Sequence, residues 1–385
     1  MVPHMTNGVQ VAFQKFYWDY CKQYGPSKEQ ENAAFAILDC KTGRLGSNAS
    51  ICDNCNHVEF HHNSCRDRHC PSCQAVLREI WIDNRSSEII DASYFHVVFT
   101  VPFELNNLIC ANQSTLYPLM HRVVSQTLLD LSADKKFLGA TPGIIQVLHT
   151  WGQELNYHPH IHCIVTGAGL TGDKRFVKSS DNFFIPVRIL SKVFRGKFIS
   201  ELQKLFVSGS LSFPGNLANL ESPEDWLAFT KKLYRKEWVP FIKETFKHFG
   251  NAIKYLGRYT HRIAISNSRI TSVTDDSVSF SVKDYRDGSS KTITLKGVEF
   301  IRRFLLHVLP RGFQKIRYSG FINNRFKSRN LKIINNITGK LPPARKLAGL
   351  SMADIILAVW GVNISICPAC NCESLRQLKS TRMRN

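Results

Sequence analysis

The sequence predicts an α+β protein in which a small cysteine-rich module precedes a larger domain of interleaved strands and helices. Three observations carry this expectation. Aromatic residues recur at helical spacing over the first 40 residues. Residues 41–75 are polar and rich in Cys and His, so they cannot bury a core and need another source of stability. From about residue 92, β-branched and aromatic runs alternate with longer helical stretches. With 385 residues, 43% of them apolar, the chain suits two or three domains with sizeable cores, and a wholly disordered protein is excluded.

Taken in order, Phe13, Phe16, Tyr17, Tyr20 and Cys21 mark a first helix, and residues 28–38 form a second. YFHVVFTVP at 94–102 reads as a strand and 105–130 as a long helix. Residues 144–151 and 161–167 read as two strands of a hairpin joined by a polar loop. Residues 186–250 are mostly helical around polar loops such as 208–223, and 243–259 reads as a helix containing Gly250 and Gly257. Alternation over 263–281 and 291–295 predicts strands with a turn at Asp287-Gly288, and 300–308 predicts a helix.

Lys plus Arg number 50 against 30 Asp plus Glu, a net charge of +20 that points to a polyanionic partner, nucleic acid before membrane. No apolar run approaches the ~18 residues of a membrane span, and residues 1–24 lack a signal-peptide core. The expected compartment is the cytosol, with nucleoid association when bound to DNA. Thiols stay reduced there, so 12 cysteines argue for metal rather than disulfides. No acidic residue lies between Phe300 and Met352, and Phe313, Tyr318, Phe321 and Phe326 interleave with its Lys and Arg residues. Cations for phosphates and rings for bases suit single-stranded nucleic acid. The plainer reading is a solvated basic face with its aromatics in the core.

Cys52-x-x-Cys55 and Cys70-x-x-Cys73 have the spacing of paired knuckles in a structural zinc ribbon. These four cysteines are the expected zinc ligands, with Cys65, His61, His62 and His69 between them as substitutes. Arg66, Arg68 and Arg78 decorate the module and are positioned to touch phosphates. Cys367-x-x-Cys370-x-Cys372 offers three thiols and no obvious fourth ligand.

YHPHIHCIV at 157–165 holds the densest histidine cluster. Strand side chains alternate faces, so His160 and His162 point the same way while Ile161 points into a core. Two imidazoles on one sheet face can hold a divalent cation if a third ligand joins them. His158 has the right parity, and Gln153 or Glu154 can approach across the hairpin. In KYLGRYTHR at 254–262, helical spacing sets Tyr255 and Tyr259 on one face, near the cations Lys254, Arg258, His261 and Arg262. A phenol is a poor nucleophile unless a cation lowers its pKa or a metal polarises its target.

In combination these motifs resemble the HUH-type two-tyrosine rolling-circle transposases of the bacterial IS91 insertion-sequence family. The resemblance rests on SCRDRHCPSCQ at 64–74, FHVVFTVP at 95–102, HTWGQELNYHPHIH at 149–162, YLGRYTHR at 255–262 and LPRGFQKIRYSGF at 309–321. It implies an HUH endonuclease domain, an antiparallel sheet flanked by helices, with the histidine pair on a central strand. It implies Mg²⁺ or Mn²⁺ on His160 and His162, and Tyr255 and Tyr259 as alternating nucleophiles on single-stranded DNA. Gln153 is the preferred third ligand, because hairpin pairing can set it across from His160, and His158 is second. The zinc module and basic tail would bind element ends and target DNA through Arg66, Arg68, Arg258, Arg262, Arg311, Lys315 and Arg317, with host replication proteins as further partners. The expected division is 1–90 for helices and zinc module, 91–325 for the nuclease and 326–385 for the tail. A replication initiator or relaxase would share this chemistry. A zinc-ribbon DNA-binding protein would tolerate loss of both tyrosines, and a metal-dependent hydrolase would form no covalent adduct.

Overall fold

A computed structural model describes residues 7–179, 185–243, 253, 257, 264–283 and 288–378. Helix α1 (Gly8–Gln23) buries Phe13, Phe16, Tyr17 and Tyr20 along one stripe, as the spacing predicts. Helix α2 (Lys28–Asp39) opens with a capping box. The Ser27 hydroxyl accepts from the Gln30 N–H, and the Gln30 side chain accepts from the Ser27 N–H. Strands β1 (Ser47–Cys52) and β2 (Val58–His62) pair antiparallel, and helix α3 (Ala75–Ser86) follows.

The main sheet begins with β3 (Tyr94–Thr100), whose first six residues are all buried, as in a strand covered on both faces. Helices α4 (Asn106–Ala111) and α5 (Gln113–Ala133) replace the single long helix expected there, with Asn112 at the break. Strands β4 (Thr141–Trp151) and β5 (Tyr157–Leu170) form the expected hairpin, longer than predicted at both ends. After β6 (Phe176–Lys178) come helices α6 (Val187–Val207) and α7 (Pro223–Arg235), then strand β7 (Phe241–Lys243).

Strands β8 (Ile270–Val273), β9 (Ser277–Lys283) and β10 (Ser290–Lys296) make a separate meander, followed by helix α8 (Gly297–Leu305). Strand β11 (Ile316–Gly320) joins the main sheet, and helices α9 (Lys327–Thr338) and α10 (Met352–Trp360) lead to β12 (Leu375–Gln377). The main sheet runs β11-β4-β5-β3-β7, with β6 on β5 and every pairing antiparallel. The architecture is therefore α+β with antiparallel sheets. Among the described residues, no helix is long and apolar enough to cross a membrane.

Side chains of β5 alternate between two cores. Ile161, Cys163 and Val165 pack beneath α5 and α6 with Phe95, Val97, Phe99, Phe194 and Phe198. On the other face Ile164 packs with Ile145, Val147, Ile253, Phe321 and Ile334. A third core joins α1 and α2 to the β8–β10 meander and α8. Contact there is close enough that a Cβ on Gly297 would lie 2.3 Å from the Phe16 ring. The expected division at residues 90 and 325 is thus not how the cores divide. The N-terminal helices share a core with residues 264–308, and β12 pairs with β1, so the C-terminal segment is no free tail.

Candidate functional site

The β4–β5 hairpin closes through residues 152–156, where the Gly152 N–H donates to the Asn156 carbonyl at 3.0 Å. Because β5 starts at Tyr157, opposite Trp151, the register sets His149 directly across from His160 and Val147 across from His162. The imidazoles of His149, His160 and His162 converge, with their ligand atoms all within 4.8 Å of one another. His149 is thus the third imidazole, and the sequence reading passed over it. Gln153, preferred because it was expected across from His160, lies in the turn, where its carbonyl accepts from Arg269 Nη2 at 2.6 Å. His158, the second choice, gives its backbone carbonyl to His160 Nδ1 at 2.6 Å.

These hydrogen bonds orient the triad for metal. A carbonyl only accepts, so His160 Nδ1 carries the proton and Nε2 keeps the lone pair. His162 Nδ1 meets His96 Nε2 of β3 at 2.8 Å, which leaves its Nε2 toward the cluster. Burial pushes the His160 imidazole down to about 4 and His162 well below its ordinary value. Both are neutral at pH 7 and need lose no proton to bind a cation. Three imidazoles leave coordination positions open, as a catalytic ion requires.

Tyr255, Tyr259, Arg258 and Arg262 lie outside the described residues. Two neighbours of these tyrosines are described. Ile253 is fully buried in the core on the Ile164 face of the sheet, the face that His160 and His162 share. Gly257 sits so close to α3 that a Cβ there would lie 2.4 Å from Ile82 Cγ1.

The expected ligand set Cys52, Cys55, Cys70 and Cys73 is not brought together. Cys70 and Cys73 meet Cys40 and Cys65, while Cys52 and Cys55 lie beside Cys367 and Cys370. The first cluster has Sγ–Sγ distances of 3.4 Å for Cys40–Cys73 and 3.5 Å for Cys65–Cys73. Thiolates about 2.3 Å from a tetrahedral zinc lie roughly 3.8 Å apart, so this set fits the ion after small relaxation. Hydrogen bonds among the four hold the Cys40 and Cys73 thiols below their usual range and the Cys65 and Cys70 thiols above it. Cys40, the C-cap of α2, lies outside any knuckle spacing, so no local pattern marks it as a ligand.

Arg68 does not reach outward to phosphate as expected. It is half-buried, and it donates to the carbonyls of Phe313, Leu309 and Pro310 at 2.6, 3.4 and 2.9 Å. His69 Nε2 accepts from the Leu309 N–H at 3.1 Å. Both residues dock the cysteine module onto the 309–313 turn. A cavity of about 360 Å³ opens along this seam, lined among others by Arg66, Arg68, Trp151, His307 and Lys315. Arg66 and Arg311 are exposed. The Lys315 ammonium lies 4.8 Å from the Trp151 ring, and Trp151 stacks on His149 at 4.6 Å. Burial, with a smaller push from Arg68, brings Lys315 down to about 7. Arg317 packs over Phe313 at 5.5 Å.

The interleaved aromatics are mostly core, contrary to the stacking expectation. Phe313 and Phe321 are buried, and the Tyr318 hydroxyl accepts from Trp81 Nε1 at 3.0 Å. Phe326 alone of the four is exposed.

Residues 143–330 match the family described as "Putative transposase", and residues 12–101 match "Transposase zinc-binding domain". The protein named "Putative transposase y4qJ" of Sinorhizobium fredii (strain NBRC 101917 / NGR234) is 40% identical over 372 residues, covering 95% of this chain and 94% of its own. The transposase for insertion sequence element IS801 of Pseudomonas savastanoi pv. phaseolicola is 28% identical over 368 residues, covering 91% and 85%. Among solved structures, the conjugative relaxase TrwC in complex with oriT DNA, copper-bound, is 14% identical with a TM-score of 0.25, covering 61% of this chain and 94% of that one. Identity of 40% across nearly the whole chain, together with the matched zinc-binding domain, shows that this protein belongs to the IS91 family of transposases.

Proposed function

We propose that this transposase cuts and rejoins single-stranded DNA at the ends of an insertion sequence through 5′-phosphotyrosine intermediates, in rolling-circle transposition. The observation that carries the reading is the three-imidazole set on β4 and β5, open to a further ligand, on the sheet face against which Ile253 packs. His149, His160 and His162 would hold Mg²⁺ or Mn²⁺, which when bound supplies Lewis acidity at the scissile phosphate.

The chain's own residues do the rest. The phenol oxygen of Tyr255 or Tyr259 attacks phosphorus as its proton leaves to water. The bond from phosphorus to the 3′ oxygen breaks, and that oxygen takes a proton from water as it departs as a 3′-OH. The 5′-phosphotyrosine ester preserves the phosphodiester count, so rejoining by a later 3′-OH needs no nucleotide cofactor. Two tyrosines let one hold the first strand while the other cuts the second. Phosphoryl transfer asks mainly for positioning and charge neutralisation. Arg66, Arg311 and Lys315 along the seam are suited to the latter, and Arg258 and Arg262 beside the tyrosines are assigned the same role. The free 3′-OH would recruit host replication proteins.

The test is covalent trapping. Purified protein is mixed with single-stranded oligonucleotides from the flanks of its gene plus Mg²⁺ or Mn²⁺, then run on a denaturing gel. A DNA adduct is expected that disappears only when both Tyr255→Phe and Tyr259→Phe are present. Cutting without an adduct would move the chemistry to activated water. Tight binding to verified ends without cutting would leave a DNA-binding protein.

A further inference from the structure

The cysteines left out of the first cluster sit on two matching turns from opposite ends of the chain. Cys52-Asp53-Asn54-Cys55-Asn56 and Cys367-Pro368-Ala369-Cys370-Asn371 share the pattern C-x-x-C-N. Their backbones match as well. Asn56 and Asn371 both adopt a left-handed φ of 57°, which asparagine tolerates better than most residues. The N–H of each asparagine donates to the carbonyl of the first cysteine at 2.9 Å, Asn56 to Cys52 and Asn371 to Cys367. The N–H of each first cysteine donates to the carbonyl five residues on at 2.9 Å, Cys52 to His57 and Cys367 to Cys372.

The two turns face one another. Cys52 Sγ lies 3.6 Å from Cys370 Sγ, and Cys55 Sγ lies 3.6 Å from Cys367 Sγ. All four sulfurs fall within 4.8 Å, close to the roughly 3.8 Å edge of a tetrahedral zinc-thiolate site. Around them Ser374 Oγ touches Cys52 Sγ at 3.0 Å, and Asn54 Nδ2 donates to Cys372 Sγ at 3.4 Å. Strand β1 pairs with β2 on one side and with β12 on the other. This sheet has little apolar core of its own, since Val58 and Phe60 of β2 are exposed and Ile51 of β1 is only half-buried. Three short strands without a core need a cross-link.

We propose that Cys52, Cys55, Cys367 and Cys370 bind a second structural zinc ion, making one zinc ribbon from the two ends of the chain. The four thiols release their protons to solvent as the four Zn–S bonds form, and four protein ligands leave no position for substrate. The matched zinc-binding domain ends at residue 101, so it does not include the second turn. The ion fixes the far end of a strap that crosses α3, where the Lys346 and Leu347 N–H groups donate to the Asp83 carboxylate at 2.9 Å each.

The test counts zinc released from the full chain by a mercurial that titrates thiols, which leaves histidine-bound metal uncounted. The wild type is expected to release two ions. Cys367→Ser with Cys370→Ser should release one, and so should Cys52→Ser with Cys55→Ser. The quadruple variant should still release one, because both pairs serve the same ion. Cys372→Ser and Cys370→His should keep two. One ion in the wild type, or two in the Cys367→Ser/Cys370→Ser variant, would overturn the proposal. Should the serine variants fail to fold, alkylation of the wild type decides. Cys367 and Cys370 are expected to react only after chelation, and equal rates with and without chelator would overturn the site.

Discussion

The histidine centre and the Cys40 centre are built by opposite means. Three imidazoles stand on two regular, paired strands at positions fixed by register, beneath a packed core. Four thiols gather from a helix end and the one loop between β2 and α3, with little regular structure to place them. The sheet holds its shape without metal, so its three-ligand set can keep coordination open for a phosphate. The loops have no such frame, so four ligands must close around an ion and supply the stability themselves. On the proposed function, geometry imposed by the fold serves the chemistry and geometry imposed by the metal serves the scaffold.

The largest effects should separate these roles. Cys70→Ser with Cys73→Ser should unfold the module, because structural zinc contributes on the order of 10 kcal/mol in zinc-finger peptides. Proteolysis within residues 40–75 would register the loss. His160→Ala should lower the melting temperature only modestly, through the cavity and the freed His158 carbonyl, and leave the chain folded, while single-strand cutting falls about 1,000-fold. A cysteine variant that melts like the wild type would break the contrast.

Gly257→Ala should come next. The added Cβ meets Ile82 on α3, shifting the segment between the two tyrosines, and a displacement near 1 Å costs about 100-fold in rate. Ile82→Ala in the same chain should restore most of the loss. Failure of that rescue would remove α3 from the positioning of the nucleophiles.

Arg68 and Arg66 offer a finer division between docking and binding. Arg68→Ala abandons three carbonyls and should cost on the order of 3 kcal/mol in denaturant unfolding. Arg66→Ala should leave stability unchanged, weaken oligonucleotide binding a few-fold and reduce the salt slope by about one.

A further prediction concerns pH. Burial brings Lys315 down to about 7, so above that pH the free protein must take up a proton there to meet a phosphate. Affinity for single-stranded DNA should fall between pH 7 and 9, by at most about tenfold per unit. Lys315→Arg, which stays charged, should flatten the profile.

What the sequence revealed followed the range of the interactions involved. Helices α1 and α2, strand β3 and the β4–β5 hairpin were legible because periodicity and capping are local. The His160–His162 pair was legible for the same reason. His149 was hidden by the turn length. Reading the second strand from 161 rather than 157 moved the residue opposite His160 toward Gln153. The cysteine partners were hidden more deeply. Two C-x-x-C turns 14 residues apart suggested each other, whereas Cys70 and Cys73 pair with Cys40 in the structure, and Cys52 and Cys55 face a turn more than 300 residues away. The aromatics among the basic residues showed no period that would distinguish core from surface. Only tertiary packing placed Phe313 and Phe321 inside.

The most direct test measures Mn²⁺ binding and single-strand cutting side by side in wild type, His149→Ala and Gln153→Ala. The account predicts that His149→Ala loses both and that Gln153→Ala retains both. Loss in Gln153→Ala with retention in His149→Ala would contradict it.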